Sequence, residues 1–109
     1  MKNLLLKISA LLAICVLVLP TLSLAADSGA DLFGTKCGSC HGKTGAADTP
    51  MAKNMKLRDL GSADVQKMSD KELTEIISKG KPPKMPAYSG KLTDSQINDV
   101  VKYIRSLKK

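Results

Sequence analysis

The stretch "KCGSCHG", residues 36–42, decides how the rest of the chain is read. Cys37, Cys40 and His41 place two thiols and an imidazole within five residues, and His41 is the sole histidine among 109 residues. Such a cluster could be half of a zinc site, a thiol redox switch or a haem anchor. Each of these needs different support from the remaining sequence.

The start of the chain bears on which of these chemistries is open. Lys2 and Lys7 precede an apolar run from Ile8 to Leu19, then Pro20 and the small-residue pattern Ser23-Leu24-Ala25. This is the order of a secretory signal peptide. The run is short for a membrane-spanning helix, which needs about 20 residues. Cys15 follows the bulky Ile14 inside the run, which argues against a lipoprotein signal. The expected division is a cleaved signal over residues 1–25 and a single domain over 26–109. Removing 25 residues, with two lysines and no acid among them, leaves 84 residues and lowers the formal net charge from +7 to +5. The exported chain keeps two of its three cysteines. In an oxidising compartment a bare Cys-x-x-Cys tends toward a disulfide unless another partner claims it.

A domain of this size buries only a modest core. Its aromatic residues are Phe33, Tyr88 and Tyr103, with no Trp. Small domains so poorly stocked rely on a disulfide, a metal or a cofactor. The pattern along the chain is helical. Asp31 to Lys36 leads into the cysteines as a helix carrying Leu32 and Phe33. Residues 42–50, "GKTGAADTP", have the composition of a loop, and Met51 to Leu60 reads as a short helix or a loop. Ser69 and Glu72 form a capping box ahead of Leu73, Ile76 and Ile77, and Gly80 ends that helix. Three prolines in "KPPKMPAYSGKL", residues 81–92, force an extended loop. Thr93 and Gln96 form a second capping box. Ile97, Val100, Val101, Ile104 and Leu107 then follow at helical spacing. No strand alternation, repeat or low-complexity tract is visible. The expected fold is all-α, with three to four short helices joined by ordered loops.

Structural zinc calls for four ligands, usually from two pairs, and this chain has no second pair. A thioredoxin-like switch calls for a strand before the motif and a helix after it. The helical pattern supplies no such strand. Cys-x-x-Cys-His is the attachment signature of c-type haem. Each thiol adds to one vinyl group, and the adjacent imidazole ligates the iron. The expected cofactor is one haem c held by two thioethers. For the other axial position the mature chain offers Met51, Met55, Met68 and Met85. Methionine ordinarily fills gaps in a core, which suits Met55 and Met68. Met85 lies between Pro83 and Pro86, where a stiff backbone can hold a flexible thioether at a fixed point. It is the expected ligand, with Met51 beside Pro50 the runner-up.

Signal peptide, helix, Cys-x-x-Cys-His, loops, the "KMPAY" stretch around Met85 and the "VVKYIRSL" helix together resemble small class I cytochromes c. The nearest resemblance is to bacterial monohaem members of the cytochrome c6-like and c551/c555-like kinds, and it extends over the whole mature chain. It implies thioethers at Cys37 and Cys40, with His41 and Met85 as axial ligands. It also implies a proline carbonyl, here that of Pro50, accepting a hydrogen bond from the imidazole. Gly29 and Phe33 would cross Val100 and Tyr103 where the first and last helices meet. Lys56, Arg58 and Tyr88 are candidates for the haem propionates, though each reads more readily as an ordinary solvated surface group.

The implied function is a soluble periplasmic one-electron carrier, a monomer and not an enzyme, cycling Fe(III)/Fe(II) between larger redox proteins. Lys36, Lys43, Lys81, Lys84 and Lys91 would steer docking to acidic partner surfaces. Nucleic acid is not expected, because no basic helix is interleaved with aromatics. No stable membrane insertion is expected after signal cleavage. Two alternatives stand beside the carrier: a sensor haem protein that binds a gas or peroxide in place of Met85, and a cytochrome subunit of an oxidase or reductase.

Overall fold

A computed structural model of the chain describes residues 28–109. The signal-peptide reading of residues 1–25 falls outside them. The described residues form six helices: α1 Gly29–Lys36, α2 Gly38–His41, α3 Pro50–Met55, α4 Ala63–Gln66, α5 Asp70–Lys79 and α6 Asp94–Ser106. Among them there is no strand, and only two isolated bridges, Lys81 with Met85 and Ser89 with Leu92, interrupt the loops. The all-α expectation holds.

The long helices start where local chemistry satisfies their first N–H groups. In α5 the Glu72 N–H donates to Ser69 Oγ (3.1 Å), and the Ser69 N–H donates to Glu72 Oε2 (2.7 Å). Thr93 and Gln96 make the same exchange ahead of α6. A third box, Ser28 with Asp31, opens α1 two residues before the expected start. Each such cap contributes on the order of 1 kcal/mol. α5 ends at Gly80, whose φ of 69° lies in the region that favours glycine.

The core is the interface of α1, α5 and α6. Phe33, Ile97, Val100 and Val101 are its most deeply buried side chains. α1 and α6 approach closely because Gly29 has no side chain: a Cβ there would lie 2.2 Å from the Asp99 carbonyl oxygen. One turn on, the Phe33 and Tyr103 rings sit 5.1 Å apart with their planes tilted by 51°, a favoured arrangement for aromatic pairs. Gly29 and Phe33 thus face Val100 and Tyr103 at one crossing.

The turn after α4 is fastened to the end of α6. The Arg105 guanidinium donates to Asp70 Oδ1 (2.8 Å), to Gln66 O (2.9 Å) and to the Met68 carbonyl. Gln66 Nε2 in turn donates to Leu60 O and Ile104 O. These bonds hold residues 60–70 against α6, so this irregular stretch forms a fixed wall.

Candidate functional site

The helices and loops enclose a cavity of about 350 Å³. Cys37, Cys40 and His41 lie on one side of it, on and just before the single turn of α2. Phe33, Val65, Leu73, Ile77, Leu92, Val100 and Ile104 supply apolar wall, and Met85 comes from the loop of residues 81–92. Sequence separation between His41 and Met85 is large, yet the fold brings both to one space.

α1 positions the cysteine side. Phe33 is 1% exposed and anchors that helix in the core. The Cys37 N–H continues the helix by donating to Phe33 O (2.8 Å), and the His41 N–H donates to Cys37 O (3.0 Å). The Phe33 and His41 ring centroids are 6.4 Å apart. Both thiols are free and half-buried. Burial, with Cys40 alongside, pushes the Cys37 thiol up to about 11, so it stays protonated at neutral pH. Burial lowers the His41 pKa, keeping the imidazole neutral. That is the form in which histidine ligates a metal.

His41 Nδ1 is buried and has no hydrogen-bond partner. The bond expected from this nitrogen to the Pro50 carbonyl is not made. Pro50 instead takes the first position of α3, where a missing N–H costs nothing. The residue that ties α3 to the cysteine turn is Thr49. Its Oγ1 donates to Cys40 O (2.7 Å) and accepts from the Ala52 N–H (2.9 Å). The signal for this was present in the sequence as a threonine directly before proline, a helix-start pattern.

The Met85 side is made of loop. The Lys81 N–H donates to Met85 O and the Met85 N–H to Lys81 O, both at 3.0 Å. Further along, the Tyr88 N–H donates to Ile77 O (3.0 Å) and the Ser89 N–H to Ser78 O (3.1 Å), pinning the loop along α5. Gly80 makes room for the fold-back, since a Cβ there would lie 2.6 Å from Met85 O. Met55 and Met68 also reach the cavity, whereas Met51 is 50% exposed and does not line it.

Lys36, Lys81, Lys84, Lys56 and Arg58 also line the cavity; Lys43 and Lys91 do not. Tyr88 lines it too, but its hydroxyl proton is committed to Lys36 O (2.8 Å). Among the described residues no group of three or more His, Cys, Asp or Glu side chains could hold a free metal ion. No described helix is long and apolar enough to cross a membrane.

These residues fit a haem. The space is apolar, as a macrocycle requires, and two free thiols and a neutral imidazole edge it. An unpartnered buried ring nitrogen costs about 1–3 kcal/mol. The imidazole, kept neutral by burial, lines the same space as both thiols.

A helical shell around an apolar cavity with Cys-x-x-Cys-His at its edge defines a small c-type cytochrome. The family model described as cytochrome c oxidase, cbb3-type, subunit III matches residues 24–104. Cytochrome c6 of Thermosynechococcus vestitus is 36% identical over 96 residues, covering 85% of this chain and 82% of its own. Cytochrome c6 of Thermostichus vulcanus is 32% identical over 106 residues, covering 95% and 91%. Among solved structures, the KustC0563 c-type cytochrome superposes with a TM-score of 0.70 at 31% identity, covering 76% of this chain and all of its own. The chain belongs to the cytochrome c family, as a small class I monohaem member. It is an electron-transfer protein that works with redox protein partners.

Proposed function

We propose that residues 26–109 form an exported, monomeric carrier of single electrons, released from a signal peptide over residues 1–25, that docks transiently with larger redox proteins in the periplasm. When bound, haem c supplies the one-electron Fe(III)/Fe(II) couple. Cys37 and Cys40 would hold it through two thioethers, and His41 and Met85 would ligate its iron. His41 needs no deprotonation to serve, because burial already keeps it neutral. The paired backbone of Lys81 and Met85 limits how far the thioether can wander, and the apolar wall excludes water. Lys36, Lys81 and Lys84 at the cavity lining, with Lys43 and Lys91 beyond it, attract acidic partner surfaces and speed encounter without a tight complex.

One observation carries this reading: Cys37, Cys40, His41 and Met85 all line the same apolar cavity. The test is spectroscopic. The purified exported protein should give a pyridine haemochrome of the two-thioether kind. Its oxidised form should show a Met-to-iron charge-transfer band that Met85→Ala abolishes. Persistence of the band in that variant would assign the ligand elsewhere.

The family description favours a second reading, a cytochrome held as a subunit of an oxidase. Size-exclusion chromatography of native extracts separates the two. The carrier elutes at its own mass, and the subunit elutes with a large complex.

A further inference from the structure

The cavity is lined both by the cysteine-bearing stretch and by the loop of residues 81–92, and the hydroxyl of one phenol links the two. Tyr88 stands three residues beyond Met85. Its hydroxyl donates to the carbonyl of Lys36, the residue before Cys37, 52 positions away in sequence. Among the described residues this is the sole hydrogen bond between the loop of residues 81–92 and the cysteine-bearing stretch of residues 28–49. The other bonds of the loop run within it or to α5. The Tyr88 ring is itself held in place: its backbone N–H is fixed to Ile77 O, and Lys91 Nζ lies 5.7 Å from the ring centroid, within range of a cation–π contact.

We propose that Tyr88 is a positioning residue, a strap that keeps the Met85 loop closed against the cysteine side and so slows the departure of Met85 from the iron. The proposal rests on the reading of Met85 as a ligand. On this proposal Met85 leaves by an outward motion of its loop. The Lys81–Met85 pairing travels with the loop and does not oppose that motion. The Tyr88–Lys36 bond spans both sides and must break first. The Lys36 carbonyl is a backbone acceptor at the exposed end of α1, the helix that Phe33 anchors in the core, so the strap ends on a firmly held element.

The molecule supplies a matched control. Tyr103 also donates its hydroxyl to a distant backbone carbonyl, Lys43 O at 3.1 Å, but it does not line the cavity, and that bond does not involve the loop. Tyr88→Phe and Tyr103→Phe each remove one phenol hydroxyl and keep the ring. The experiment is stopped-flow binding of imidazole to the oxidised, haem-loaded protein, with the Met-to-iron band recorded in parallel. Tyr88→Phe should keep the band yet bind imidazole roughly fivefold to tenfold faster, the factor expected from losing one hydrogen bond. Tyr103→Phe should bind within about twofold of the parent, although its melting temperature falls by a similar amount. Equal rates for Tyr88→Phe and the parent would overturn the strap. So would equal acceleration by both variants, since that would trace the effect to general stability. Absence of the band from the parent would instead overturn the ligation reading, and the strap with it.

Discussion

The two sides of the cavity are built by opposite means. The cysteine–histidine side is a helix end: α1 carries Phe33 into the core, crosses α6 at Gly29 and runs directly into Cys37. The methionine side is a proline-stiffened loop, folded back on itself between Lys81 and Met85 rather than extended as expected, held along α5 by backbone bonds and to the cysteine stretch by Tyr88. One side takes its rigidity chiefly from buried apolar area; the other buries Leu92 but depends more on prolines and a few hydrogen bonds. Buried area is the larger reservoir. The side bearing the proposed covalent anchors is therefore fixed by global stability. The side bearing the proposed exchangeable ligand depends on local contacts, which can loosen without unfolding the domain.

The sharpest way to break this contrast is to empty the core under the cysteine side. Phe33→Ala removes a side chain packed on Tyr103 and near His41. It should cost about 3–5 kcal/mol, much of the stability of a small domain. Urea unfolding measures it. If Tyr88→Phe on the loop side cost as much, the two sides would not differ as described.

Gly29→Ala strikes the same side by overpacking. The added Cβ would meet the Asp99 carbonyl and force α1 away from α6. The expected loss is about 1–3 kcal/mol, with the Phe33–Tyr103 contact loosened. Near-ultraviolet circular dichroism of the aromatic residues should change along with the unfolding midpoint. A stable variant with unaltered aromatic signals would mean the crossing tolerates more separation than the packing implies.

Thr49→Val probes the cysteine turn itself. It removes the bond to Cys40 O and the cap on α3 while nearly conserving shape. Losing both should cost about 1–2 kcal/mol. Hydrogen exchange should show the Ala52 amide opening faster than in the parent, with α6 amides little changed. Equal acceleration throughout would mean the turn has no local stability of its own.

The parts of this architecture that were legible in the sequence are those whose physics is local. The boxes at Ser69–Glu72 and Thr93–Gln96 span four residues each and need no tertiary partner. Cys37, Cys40 and His41 carry their chemistry within five residues. Met85 stood out because its flanking prolines constrain the backbone wherever the loop lies. The box at Ser28–Asp31 escaped because aspartate, not glutamate or glutamine, fills the third position. The helix over Ala63–Gln66 escaped because four residues cannot show a period. Nothing in the sequence pairs Tyr88 with Lys36 or Arg105 with Met68, since those bonds exist only once distant segments have packed. The Pro50 bond failed for a related reason. A proline at a matching position does not fix where its carbonyl points, and the neighbouring Thr49 bonds to Cys40 O rather than to the imidazole.

The smallest effect expected lies at the rim, where the loop of residues 57–61 meets the last residue of the chain. The Lys109 ammonium donates to Asp59 Oδ2, the Gly61 N–H donates to Asp59 Oδ1 at 2.8 Å, and the Lys109 N–H donates to Gly61 O at 3.2 Å. The Lys109 bond, then the Gly61 amide, hold the Asp59 carboxyl below its usual range. A depressed folded value means the stabilisation is complete above the ordinary carboxylate pKa and is lost as pH falls through the folded one. Leu57, Arg58 and Leu60 of this loop line the cavity, so acid should relax a loop-held part of the site while leaving α1 in place. Urea unfolding of the parent and Asp59→Asn from about pH 6 to about pH 2 tests this. The parent should be slightly the more stable at the upper end, with the gap closing on acidification because both then carry an uncharged group. A gap that stayed constant down to the acid end would show that the charge on Asp59 contributes nothing, and that backbone bonds alone hold this loop.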